Sequence, residues 1–194
     1  VLTKEAAKVT RYVALLRGIN VSGQKIIKMD HLKRFFESLQ FQNVKTYIQS
    51  GNVIFDTGKE ETDTLRKMLE SKLHEVFGFE VTVVIRTIDE MEEIIKRNPF
   101  NLNESQENEK IYVSFLSGEP GTEAIASLLT YKNEVDDFHV LKREVYILCR
   151  GNYGKSLFSN NFLEKKLKLS ATTRNWQTVN KLAAMGLIGM GEDN

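Results

Sequence analysis

The chain has 194 residues, 41% of them hydrophobic, with 27 Lys+Arg against 26 Asp+Glu and a formal net charge of +1. That length suits one large domain or two small ones, and that apolar share supports a packed core and argues against disorder. The near-balance of charge disfavours a protein built to neutralise a long phosphate backbone, which carries a clear basic excess.

Cys149 is the single cysteine, so an intrachain disulfide and a thiolate metal cage are both excluded. It ends the apolar run Val145 to Cys149 and reads as a small buried hydrophobe rather than a nucleophile. No apolar stretch reaches the roughly 18 residues that a membrane span requires. Val1 to Lys8 is polar, lacks a signal-peptide core and reads as a frayed extension. A cytoplasmic protein without a membrane partner is the expectation.

Thr10 to Gly18 is apolar and β-prone, the first strand. Met29, Leu32, Phe35, Phe36 and Leu39 then form one helical stripe. Val44 to Gln49 and Asn52 to Asp56 read as strands joined through Ser50-Gly51, a hairpin signal. Thr62 to Phe77 repeats the helical spacing, and Gly78 stops it. Phe79 to Arg86 is the next strand. Thr87 and Glu90 then make a capping box for a helix carrying Ile88, Met91, Ile94 and Ile95. That helix ends near Asn98-Pro99, because proline restricts the residue before it.

Asn101 to Glu109 is polar and reads as a loop. Lys110 to Ser117 opens the second half as a strand, and Pro120-Gly121 turns the chain into a helix from Thr122 to about Tyr131. Val135 to Leu141 and Arg143 to Arg150 form another hairpin. Ser159 caps a helix to about Leu169. A final helix is expected from Thr173 to near Gly186, with Thr172 or Thr173 as its N-cap and Trp176, Val179 and Leu182 on its buried stripe.

The fold class is therefore α+β: two tandem ferredoxin-like halves, βαββαβ and βαββα-α, with antiparallel sheets and helices packed on one face. The first half spans 10–97, a linker 98–109 and the second half 110–188. Arg11 to Gly18 resembles Lys110 to Gly118, which suggests an internal duplication.

This topology makes the first and third strands antiparallel neighbours. Arg17, Gly18 and Asn20 should then lie near Gln49, Ser50, Gly51 and Asn52. The loop from Gly18 to Lys28 also opens the first helix, whose free N–H groups favour an anion. With Gly23 for the turn and Arg17, Lys25 and Lys28 for charge, the loop could hold a phosphate or a carboxylate. The plain alternative is glycines for turns, asparagines capping backbone groups and Arg17 in an ion pair. Thr173, Arg174 and Asn175 form a second candidate. Arg174 at a helix start opposes the macrodipole, so it either pairs with a carboxylate or is held for an anionic ligand.

His31, His74 and His139 are scattered, and no histidine pair has metal-ligand spacing, so no metal site is expected. A nucleophile elbow and a P-loop are also absent, and no cofactor is expected.

Taken together, Arg11-Tyr-Val-Ala-Leu-Leu-Arg-Gly-Ile-Asn-Val21, Lys28-Met29, Tyr47-Ile-Gln-Ser-Gly-Asn-Val-Ile-Phe55 and Thr172-Thr-Arg-Asn-Trp-Gln-Thr-Val179 resemble the bacterial family known as domain of unknown function 1697. The resemblance implies an α+β fold with two related halves and no established activity. The family reads two glycines after Asn-Val where this chain has Ser22-Gly23. A positive φ there would be less comfortable for serine.

Three functions compete. The first is a module binding a small anion or nucleotide at the Gly18–Lys28 loop. The second is an acylphosphatase-like hydrolase, with Arg17 stabilising charge and Asn52 orienting water. The third is an RNA-binding sheet, ranked last because the stacking positions of Gly51 to Asp56 are not aromatic. Oligomeric state is left open.

Overall fold

In the computed structural model, residues 9–101 and 107–189 are described. The chain forms β1 (Val9–Leu16), α1 (Met29–Ser38), β2 (Gln42–Tyr47), β3 (Asn52–Gly58), α2 (Thr62–Phe77), β4 (Val83–Thr87) and α3 (Ile88–Lys96). It continues with β5 (Glu109–Leu116), α4 (Thr122–Leu129), β6 (Asp136–Leu141), β7 (Glu144–Arg150), α5 (Asn160–Leu167), β8 (Ala171–Asn175) and α6 (Trp176–Leu187). A short 3-10 turn at Tyr153–Lys155 precedes α5. The architecture is α+β, with two four-stranded antiparallel sheets and six α-helices among the described residues. Two compact units result: one up to Glu90 together with the residues from Leu182 onward, the other Met91–Lys181.

In the first unit the strand order is β2-β3-β1-β4. Tyr12, Ala14 and Leu16 alternate on β1 and face Leu32, Phe35 and Phe36 of α1 and Leu65, Leu69 and Leu73 of α2 in one core. The three α2 leucines recur every four residues, so one helical stripe supplies that helix's share. Gly78 ends the helix at φ +79°, where its N–H reaches the His74 carbonyl. The Thr87–Glu90 capping box is present with both bonds, Thr87 N–H to Glu90 Oε2 at 2.8 Å and Glu90 N–H to Thr87 Oγ1 at 3.2 Å.

The second unit has the order β6-β7-β5-β8. Leu116, Phe138, Val145, Ile147 and Ala171 pack with Leu128 of α4, Leu163 and Leu167 of α5, and Phe158. Ser159 caps α5 by accepting from the Phe162 N–H. Cys149 is buried, and burial pushes its thiol up to about 11, which keeps it inert.

The two sheets share a register. Val13 pairs with Arg86 across β1 and β4, and Val113 with Arg174 across β5 and β8. Leu15 pairs with Asn52, and Phe115 with Glu144. The bonds just past the two leading strands match too: Arg17 N–H to the Thr82 carbonyl, and Ser117 N–H to the Ser170 carbonyl, each 2.9 Å.

One element departs from the sequence expectation. Residues 171–175 form strand β8 beside β5, where the βαββα-α reading has no strand, and the last helix starts at Trp176 rather than Thr173. The adjacent β-branched Thr172 and Thr173 suit a pleated strand. Asn175, not a threonine, caps the helix, accepting from the Thr178 N–H at 2.8 Å. Strand β4 is also shorter than expected, beginning at Val83. Part of the expected 98–109 linker, residues 102–106, lies outside the described residues.

Candidate functional site

The first sheet brings the end of β1 and the tip of the β2–β3 hairpin together. Pairing of Leu15 with Asn52 fixes the alignment, and the Leu16 N–H donates to the Gly51 carbonyl at 2.8 Å. Beyond β1 the chain makes a twelve-residue loop, Arg17 to Lys28, before α1 begins. Asn20 holds that loop. Its carboxamide nitrogen donates to the carbonyls of Ile27 and Gln49, each at 2.9 Å, and its oxygen accepts from the Ile27 N–H at 2.8 Å. Gln49 thus meets the loop through its backbone, and the residue is exposed.

Backbone geometry in the loop is unusual. Gly18, Asn20, Ser22, Gly23 and Lys25 all have φ between +47° and +72°. Ser22 therefore stands in a left-handed position, at a cost of about 1 kcal/mol. The Lys28 N-cap of α1 makes no side-chain cap bond to the first turn.

Charge at the loop is positive but partly committed. Lys25 Nζ donates to the Glu80 carbonyl at 2.6 Å, which ties the loop to the turn before β4. Lys28 is exposed, and Arg17 is half-buried as it leaves the strand. From Arg17 to Met29 and from Gln42 to Val53 there are four cationic residues and no Asp or Glu.

Asn52 does a different job from the expected one. It has no exposure, and its carboxamide donates to the Tyr47 carbonyl at 2.8 Å and to Ser50 Oγ at 3.1 Å. It closes the hairpin turn from inside. Gly51 is equally constrained: at φ +83° an added Cβ would lie 2.6 Å from Ile19 Cδ1. Of the predicted residues, Asn20 meets the Gln49 backbone, and Ser50 and Asn52 close the hairpin turn beside the end of β1. Arg17, Gly18, Gly23, Lys25 and Lys28 share the loop that Asn20 holds.

The second group lies in the other unit. Arg174 is 8% exposed on β8 and donates to Thr172 Oγ1 and the Thr173 carbonyl, each at 3.0 Å. Burial pulls its guanidinium down to about 10. Thr173 Oγ1 donates to Asn160 Oδ1 at 2.7 Å, and Asn175 is the α6 cap. In the second unit Arg174 is buried, Thr173 is partly exposed and Asn175 is exposed, and these hydrogen bonds of all three lie within that unit. Arg86, in the matching register position of the first unit, is likewise buried and donates to its preceding carbonyl, that of Ile85.

Sequence reasoning missed the aliphatic residues at the first site. Val21 and Ile26 are each 58% exposed, and Ile48 is 47% exposed with φ +48°. A β-branched residue in that region is a true outlier, and such strain concentrates at functional surfaces. Ile48 sits on a strand-like alternation, so the pattern placed it in β2 rather than in the four-residue turn Ile48 to Gly51. Among the described residues no cluster could hold a metal ion.

The family model described as "Protein of unknown function (DUF1697)" matches residues 9–146. The chain belongs to that family. The DUF1697 match covers the whole of the first candidate site and stops before Thr173 to Asn175. A solved structure of a conserved bacterial protein from Streptococcus pneumoniae is similar, with a TM-score of 0.71 at 19% identity, over 92% of this chain and 99% of that one. At that identity the likeness shows the fold. No curated protein matches significantly.

Proposed function

We propose that the protein is a cytoplasmic pair of ferredoxin-like halves derived by duplication, the first of which binds a small anionic ligand at the Arg17–Lys28 loop. Shared strand order and shared register support the duplication. The observation that carries the binding reading is where the halves differ. The loop after the leading strand has twelve residues in the first half and five in the second, and the hairpin turn has four against two. Extra chain at one corner of a repeated scaffold, held rigid by Asn20 and rich in left-handed residues, is the pattern of a binding loop. At the opposite end the second half carries the longer connections, including the 3-10 turn, and those pack into its core.

The acylphosphatase-like reading needs the Asn52 carboxamide at the reacting water. Its complete burial, with both donors spent on the turn, favours binding over hydrolysis. An RNA-binding sheet needs an open face on the central strands, yet every residue from Tyr12 to Leu16 and from Asn52 to Asp56 is buried.

A thermal shift screen with phosphate, nucleotides and small carboxylates tests the reading. A ligand that binds only the native state raises the midpoint. The expected result is a rise that is lost in Lys28→Ala. No rise with any anion at millimolar levels would count against it.

A further inference from the structure

Three aliphatic side chains flank the Asn20 staple on the outside. Val21 follows Asn20, Ile26 precedes its partner Ile27, and Ile48 precedes its partner Gln49. Each is about half exposed or more. Ile48 keeps its side chain at the hairpin tip in a backbone conformation that β-branched residues avoid. Around them, the two segments carry Arg17, Lys25, Lys28 and Lys45 and no acid. The flanking acids are Asp30, which pairs with Arg34, and Glu80, whose carbonyl takes Lys25.

We infer that this end of the first unit docks on an anionic lipid surface, with Val21, Ile26 and Ile48 entering the interface and Lys25 and Lys28 facing the headgroups. The inference deepens the anion-binding reading and rests on it, since it names the headgroup phosphate as the anion. Charge complementarity selects an anionic partner. The small number of apolar side chains, on two separate turns, selects a lipid interface over a protein. A stable protein interface takes roughly 20–30 residues a side, whereas a few aliphatic groups beside basic residues suffice for reversible attachment to anionic lipid. No spanning segment is required, and among the described residues no helix is long and apolar enough to cross a membrane.

The test is sedimentation of the full chain with vesicles of phosphatidylcholine mixed with phosphatidylglycerol, with pure phosphatidylcholine vesicles and an inorganic phosphate titration alongside. The expected result is binding to the mixed vesicles only, weakened by salt and by about tenfold in the Val21→Ser/Ile26→Ser/Ile48→Asn variant. That variant should still unfold cooperatively in urea, which shows that it is folded. Phosphate binding without vesicle binding would overturn the lipid inference and leave the anion site standing. Vesicle binding unchanged in the triple variant would overturn it as well. Binding of neither probe would overturn both.

Discussion

The Asn20 carboxamide donates to the Gln49 carbonyl at 2.9 Å, and this bond joins the loop after β1 to the tip of the β2–β3 hairpin. The same side chain closes a reciprocal pair of bonds with Ile27. One residue thereby sets the position of the whole candidate site. Asn20→Ala removes three hydrogen bonds at once and forces alanine into φ +56°. The expected loss is about 2–3 kcal/mol by urea denaturation, with anion binding abolished. Full anion affinity in the folded variant would show that the staple does not shape the site.

Gly51 has no room for a side chain. A Cβ would clash with Ile19 and press on Leu16, in a left-handed conformation that alanine resists. Gly51→Ala is therefore expected to cost about 2 kcal/mol or more. A chemical denaturation midpoint within error of wild type would contradict the packing described here.

Ile48→Asn separates stability from function. Asparagine tolerates φ +48° far better than isoleucine, so the variant should unfold about 1 kcal/mol later. It should nonetheless bind anionic vesicles less well. A variant that is less stable than wild type would mean that the Ile48 side chain contributes packing that outweighs its strain.

Arg11 and Asp56 form a two-bond ion pair, 2.6 and 2.8 Å, with both side chains under 10% exposed. Asn43 adds a bond to the same carboxylate, and Arg11 also donates to the carbonyls of Gly186 and Ile188 at the end of α6. Burial raises the Asp56 pKa, but hydrogen bonds from Arg11 and Asn43 and the Arg11 charge outweigh it and hold the carboxyl below its ordinary value. A folded value below the unfolded one means that the stabilisation is complete above about pH 4 and is lost as pH falls through the lowered value. Urea midpoints should show this acid limb, and it should be shallower in Asp56→Asn. Asp56→Ala leaves Arg11 without its carboxylate and should cost about 3–5 kcal/mol.

Local signals made much of the fold legible. The Thr87–Glu90 box, Gly78 and the Ser159 cap each act over a few residues, and each appears as the sequence implies. Strand β8 did not, because Thr172 and Thr173 serve equally as helix caps and as strand residues, and only pairing with β5 decides between them. The first site was legible as a meeting of two segments, since strand order alone brings β1 and β3 together. The roles within it were not. Asn52 faces inward because Leu15 sets its register, and Ile48 faces outward because the turn takes four residues. The first fact belongs to long-range strand pairing that no window of sequence contains, and the second to where β2 ends.

The central claim is that the loop after β1 holds an anion, and the most direct measurement is a titration of the 15N-labelled protein with inorganic phosphate, read amide by amide. The expected result is saturable shifts confined to Arg17 through Lys28 and Ile48 through Gly51, and lost in Lys28→Ala. Shifts centred elsewhere, or none at millimolar phosphate, would contradict it.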